Sequence, residues 1–504
     1  MNILLFSALL IGGCRVNDPV ANPALNTDYS IIDGDTVKTV VFKDYKKLKD
    51  KDPNGKNYIV VGDTIVLYKE PKLHTPPAKD PDLSKLKNND DPDLKGKPLR
   101  MVAIGGSLTA GVRDGGYFNE GILTSYPNLI ARQMKLKKFE QPLFDATDYN
   151  GFGRKVRTGF NPTGGPVPKF NEVKNNSGVE AIVETVGGFN KGKAQNISLK
   201  KYKGEVENFA IPNMKIGILS PYNKVKEIDF EYDIKPRKEF LKRVVSDENL
   251  TFTEKVFSKK FDFFIYEMGW DDVWEHFMSK NSIGFPSADN QLRFMQKVKD
   301  SKVKYGCFVN MPNIFDLPFF KSINDKMIDD IANQYSEVGI FFGNQLGEGY
   351  NRTRTKYHLF LPYSDVDSMV SVKVHPALKK GIDKTRPISY WSVLSRENEN
   401  SPFSNIKAIN LFYNEQAAAF AKDFGFPLVD INSLYTKVLK GEYTTDDGIR
   451  VDGSWPNGNF FSADGIYPTA FGQAIIANEA IKAINAHYKM EIPLISTREY
   501  LNIK

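Results

Sequence analysis

Four short segments carry residue types that acyl chemistry uses. The first, Ile104-Gly-Gly-Ser-Leu-Thr-Ala-Gly111, sets Ser107 between small residues, after an apolar run and ahead of a helix-forming stretch. A serine at such a turn is either an exposed nucleophile or the cap of a helix, and the segment alone leaves both open. Asn208-Phe-Ala-Ile-Pro-Asn213, Gly269-Trp-Asp-Asp272 and Asp464-Gly-Ile-Tyr-Pro-Thr-Ala-Phe-Gly472 follow in order. A serine hydroxyl is a poor nucleophile until a base takes its proton. The chain offers five histidines: 74, 276, 358, 375 and 487. His276 stands four residues after Asp272, one turn away if that stretch is helical. It is either a relocated base or, the commoner case, an exposed surface imidazole. His487 suits the end of a last helix, where a cation meets the dipole. His74 and His375 fall in linker or insertion sequence without a metal-ligand partner at sensible spacing, so neither a metal nor a cofactor is expected.

A parallel sheet must position these residues. After Leu99 apolar runs alternate with helical stretches, the pattern of a sheet covered by helices. Strands are predicted at 100–105, 206–211, 261–268, 303–311 and 426–431, and helices at 126–137, 287–301, 323–337, 405–424 and 469–487. Ligands meet an open parallel sheet just past the carboxyl ends of its strands, where Ser107 and the Gly269–Asp272 segment fall. The Gly-, Asn- and Lys-rich stretch 148–205 reads as a looped, surface-laid insertion, and a second insertion spans about 340–402.

In order and content the four segments resemble the blocks of SGNH (GDSL-like) hydrolases. The flanks of the last one, Phe460-Phe-Ser-Ala before it and Gln473-Ala-Ile-Ile-Ala-Asn-Glu after it, are similar to GDSL-type lipoproteins of Bacteroidetes. The resemblance covers residues 99–495 and implies an α/β fold, a flavodoxin-like three-layer α/β/α sandwich around a five-stranded, mostly parallel sheet. It implies Ser107 as nucleophile and Asp464 as the acid that orients the base. Four positions depart from the family. Gly106 replaces the usual Asp, Tyr467 stands where the base His belongs, and Asp271 replaces an Asn whose side chain helps form the oxyanion hole. Asn213 also replaces the Gly whose N–H completes that hole. A phenol with a pKa near 10 is a poor base at neutral pH. Loss of a triad member leaves only about 10³–10⁴-fold catalysis over water. The Asn213 N–H can still donate, and Asn tolerates unusual φ. An ionised Asp271, acceptor-only, would oppose the developing oxyanion, where losing even one donor costs about 10²–10³ in rate. The resemblance therefore implies a catalytically inactive relative, a pseudoenzyme. A serine esterase or lipase acting on lipid or acetylated glycan esters, and a glycan-binding module, are the alternatives.

The chain has 504 residues, 41% hydrophobic and 26% charged, with a net charge of +7 whose basic residues are scattered, so no nucleic-acid footprint is read. No run after residue 14 approaches the roughly 20 apolar residues of a membrane span. Residues Ile3-Leu-Leu-Phe-Ser-Ala-Leu-Leu-Ile-Gly-Gly-Cys14 suit a secretory h-region, and small residues before a Cys resemble a bacterial lipobox. The expectation is a signal peptide at 1–13 and an acylated (palmitate-type) Cys14; a short core segment is the plainer alternative. Residues 14–98 read as a tether carrying a β-hairpin at 57–68 around Gly62-Asp63, with a Pro-punctuated linker at 72–97. Residues 496–504 read as a C-terminal tail, and Cys307 as a buried structural thiol. The whole is expected to be an outer-membrane, lipid-anchored binding or scaffold subunit of a membrane complex. The expected partner is an outer-membrane β-barrel, a transporter or an assembly or secretion machine, with a glycan or a lipid as candidate ligand.

Overall fold

The computed structural model describes residues 80–144, 151, 153–160, 168–173, 199–228, 235–278, 287–335, 339–343, 350–353, 357–362, 364–370, 379–389, 392–396, 399–501 and 503, together with residue 77 and four strands ahead of residue 68. Cys14, the signal segment and most of the 72–97 linker before residue 80 lie outside the described residues. The four early strands are β1 Tyr29–Ile32, β2 Asp35–Val41, β3 Tyr58–Val61 and β4 Thr64–Leu67. They form one antiparallel sheet in the order β1-β2-β4-β3, with Val61 of β3 opposite Thr64 of β4. The lone hairpin expected from the sequence is thus the second half of a larger sheet, as a two-stranded hairpin is marginal by itself.

The body is α/β. Its parallel sheet has four strands, β5 Met101–Ile104, β8 Phe263–Glu267, β9 Tyr305–Val309 and β14 Leu428–Val429, in the order β14-β9-β8-β5. All of β5 and β8 is buried, as strands covered on both faces must be. The expected fifth strand at 206–211 is not one. That segment runs beside β5 and exchanges hydrogen bonds with it, Ala103 N–H to Glu207 O at 2.9 Å and Phe209 N–H to Ala103 O at 2.8 Å. The ladder stops at a single parallel bridge at Asn208. The Asn208 side chain accepts the Ala210 N–H at 3.1 Å, a local bond that competes with extended pairing, and Pro212 has no N–H to give.

All five predicted helices form, as Tyr126–Gln133, Asp289–Asp300, Asp325–Gln334, Pro402–Phe424 and Ala470–Tyr488. Their ends obey local chemistry: Thr469 caps the last by accepting the Gly472 N–H at 3.1 Å, and the helix from Pro402 stops at a left-handed Gly425. The first insertion is not merely looped. It holds an antiparallel pair, β6 Arg154–Phe160 with β7 Pro168–Val173. Arg154 ties it to the body through the Phe118 ring at 4.8 Å and an ion pair with Glu120 at 3.6 Å. The second insertion carries β10 Ile340–Gly343 with β11 Tyr350–Thr353, and β12 His358–Phe360 with β13 Val393–Ser395. Ile340, Phe342, Phe360, Val366 and Met369 give it an apolar core separate from the main one.

The body extends past the bounds the sequence suggested. Leu86 is fully buried, and the Asn88 N–H reaches Asp262 Oδ1 at 2.9 Å, so the chain joins the body from residue 80. The expected tail is core as well: Tyr500 is fully buried, and a helical turn at Thr497–Tyr500 packs on the last helix. Asn478 clamps the approach by accepting the Ile495 N–H at 2.8 Å and donating to the Ile495 carbonyl at 2.9 Å.

Candidate functional site

Two glycines set the geometry at the carboxyl end of the sheet. Gly106 follows β5 in an extended conformation, and a Cβ there would collide with Asp271 Oδ2. Gly269 follows β8 at φ 110°, a left-handed backbone that L residues avoid, and a Cβ there would run into Met311 and Tyr413. The sharp turn at Gly269 starts the helix Trp270–Met278 with Asp271 in its first turn, facing the first turn of Ser107–Ala110.

The four segments converge on Ser107. Its N–H donates to Asp271 Oδ2 at 2.8 Å, and its Oγ accepts the Asn213 N–H at 3.0 Å. Asn213 reaches that position at φ 58°, a left-handed backbone that Asn tolerates better than most residues. The Tyr467 hydroxyl donates to Asp271 Oδ1 across a long 3.5 Å, and the Ser107 hydroxyl lies within hydrogen-bonding reach of both groups. Trp270 stacks on the Tyr467 ring, centroids 5.4 Å apart and planes at 25°. Ser107 has no exposed surface, Tyr467 retains 1% and Trp270 3%. The serine is sealed.

Asp464 does not orient a base. Its Oδ1 accepts the Ile466 and Tyr467 N–H groups at 2.8 and 2.9 Å, and its Oδ2 the Gly115 N–H at 3.0 Å, so it fastens two loops together. Asp271 corrects a second expectation. Rather than an opposing charge in an open oxyanion hole, it is a bonded group that already consumes the Ser107 N–H, one of the donors an oxyanion would need. His276, expected on the surface, is 5% exposed. Burial holds its imidazole below the ordinary value, and the charged groups facing it are Glu275 and Lys215 rather than Ser107 or Asp271.

Sequence reasoning passed over Glu267, whose Oε2 accepts the Gly106 N–H at 3.1 Å and the Thr109 hydroxyl at 2.9 Å. Its signal was a single acid at the end of an otherwise apolar strand. With Asp271, Asp272 and Asp464 it makes four buried carboxylates at one end of the sheet. Burial pushes Glu267 up to about 7, helped by Asp271. Burial lifts Asp271 to about 6 against the hydrogen bonds from Ser107 and the nearby Arg237 guanidinium. Asp272 rises to about 8 through burial and the Glu275 charge, and Asp464 to about 6 through burial. Burial and Asp271 drive the Tyr467 phenol well above 10, further from service as a base than in water. Among the described residues, the carboxylate within reach of the Ser107 hydroxyl is Asp271.

Comparison with models of known protein families finds no match, and comparison with curated proteins finds none either. Among the described residues, no helix is long and apolar enough to cross a membrane.

Proposed function

We propose that the chain is a catalytically silent SGNH-type (GDSL-like) lipoprotein, anchored in the outer membrane through Cys14, that serves as a binding or scaffold subunit of a membrane complex. In this reading the body is a three-layer α/β/α sandwich, with the 206–211 segment in the place of the fifth strand. Its support is the meeting of four segments, in the family's order, around one serine at the carboxyl end of a parallel sheet. The observation that carries the silent half is the seal: a serine with no exposed surface, under a phenol that stacks on Trp270. Substrate has to reach a nucleophile before any proton transfer matters.

A serine-directed fluorophosphonate is therefore expected to leave Ser107 unlabelled, and p-nitrophenyl acetate hydrolysis to be the same for the protein and its Ser107→Ala variant. Labelling at Ser107, or activity lost in that variant, would identify a working esterase, with Asp271 as the base to mutate first.

The anchor and the partner are tested together. Cys14→Ser should move the protein from the membrane to the soluble fraction, since acyl chains are the only anchor this reading provides. Gentle detergent extraction of the unaltered protein should give a native complex well above its own 56.9 kDa. A Cys14→Ser protein that stays with salt-washed membranes, or a lone monomer at native abundance, overturns the corresponding half.

A further inference from the structure

A concavity of about 210 Å³ lies at the opposite end of the sheet, by the amino ends of its two central strands. It opens between the first part of the body (Asn88, Asp91 and Leu94) and the chain entering β8 and β9. Three lysines, 259, 260 and 297, share this wall with one carboxylate, Asp91. Lys260 pairs with Asp91 at 3.5 Å, and Lys259 shares Glu205 with Lys138. Among the described residues Lys297 has no acidic partner. Burial first, and then the neighbouring cations Lys138 and Arg100, hold Lys259 below the ordinary lysine value. Asn88, 4% exposed, uses its Nδ2 on the Lys302 carbonyl at 3.3 Å, while its Oδ1 accepts no hydrogen bond. A buried acceptor without a donor is uncommon and costs about 1–3 kcal/mol unless something satisfies it. Ser301 adds a hydroxyl and Phe257 a half-buried ring.

We propose that this cleft binds a small hydroxylated anion, a sugar unit bearing a carboxylate or a phosphate. The lysines meet the anionic group, a sugar hydroxyl donates to Asn88 Oδ1, and the Phe257 ring takes an apolar sugar face. The volume lies below the roughly 300–1,000 Å³ of drug-sized sites, which limits the ligand to about one ring. Nothing in this inference depends on Ser107 or on the silence of its site.

The test is titration of the purified full chain, followed by calorimetry, with galacturonate, glucose 6-phosphate and inorganic phosphate. One of the two sugars should bind in the millimolar range or tighter, and inorganic phosphate at least tenfold more weakly. Lys297→Glu should weaken the sugar about tenfold by reversing an exposed charge outside the core, and Asn88→Leu should erase the preference over phosphate. Carboxylated against phosphorylated sugar tells the two sources of the anion apart. No binding of either sugar at 20 mM, about the weakest a specific site should give, would overturn the proposal. So would phosphate binding as tightly as both sugars, or affinities indifferent to Lys297→Glu. Should Asn88→Leu unfold the chain, Ser301→Ala and Lys297→Glu decide by themselves.

Discussion

Gly106→Ala should destabilise the protein by about 2–6 kcal/mol, and most of that loss should disappear in an Asp271→Ala background. The backbone at Gly106, φ −94° and ψ −151°, is open to any residue, so the penalty is one of contact. The methyl group would arrive where Asp271 Oδ2 lies. That carboxylate cannot swing aside freely, because it holds the Ser107 N–H at 2.8 Å and is packed under Tyr467. Forcing a methyl into such a place costs about 1–3 kcal/mol in strain. Leaving the Ser107 N–H unpaired adds about 1–3 kcal/mol. Asp271→Ala removes the obstacle in advance and bears its own cost, after which Gly106→Ala should cost below about 1 kcal/mol. Urea unfolding of the four proteins measures the coupling directly. Additive penalties would mean that Asp271 does not occupy the space beside residue 106. The coupling would show that the two positions are matched: the side chain absent at Gly106 leaves the space that the Asp271 carboxylate fills.

Periodic signals located the body well. Strands 261–268 and 303–311 and the helix 469–487 were legible because covered strands are apolar on both faces and the last helix repeats Phe471, Ile475, Ala480, Ile481 and Ile484 on one side. The failures were local. Residues 206–211 have strand composition, but a single side-chain bond from Asn208 to the Ala210 N–H changes the backbone's best option. Thr497 and Tyr500 looked like a tail, because the clamp that draws them in, Asn478 on Ile495, spans 17 residues and leaves no periodic trace. At the site, residue identity was legible and environment was not. Tyr467 was evidently a poor base, but that Trp270 would stack on it and close the cleft required the φ 110° turn at Gly269. His276 was misjudged for the same reason: four residues after Asp272 on a helix says which side it shares, not what covers that side.

Stability should fall as the pH rises from 5 to 8, against the usual trend for acidic side chains. Carboxylates in an unfolded chain titrate near 4. In the folded protein Glu267 titrates at about 7, Asp272 at about 8, and Asp271 and Asp464 at about 6, each raised first of all by burial. Between pH 4 and these values the native state holds more protons than the unfolded one, so the free energy of unfolding decreases with pH. The contribution is full below about pH 4 and is lost as each folded-state value is passed. His276 works the other way, because its depressed value favours the native state only above the pH at which an unfolded imidazole loses its proton. It is one group against four. Lys215 and Arg237 offset part of the charge on Asp272 and Asp271, and that relief is already contained in their values. At about 1.4 kcal/mol per pKa unit, Glu267 and Asp272 alone should take a few kcal/mol from the native state between pH 5 and 8. Urea midpoints at pH 5, 6.5 and 8 measure it. Asp272→Asn should flatten the upper half of the profile, because an amide oxygen can still accept the Ile216 N–H that now lies 3.2 Å from the carboxylate. A midpoint that stays level or climbs over this range would show that water reaches these carboxylates, and the seal over Ser107 would fall with it. A centre kept for proton transfer gains from groups that titrate in reach of solvent and substrate. Four buried carboxyl groups are instead all raised toward their protonated forms, which fits a site retained for packing.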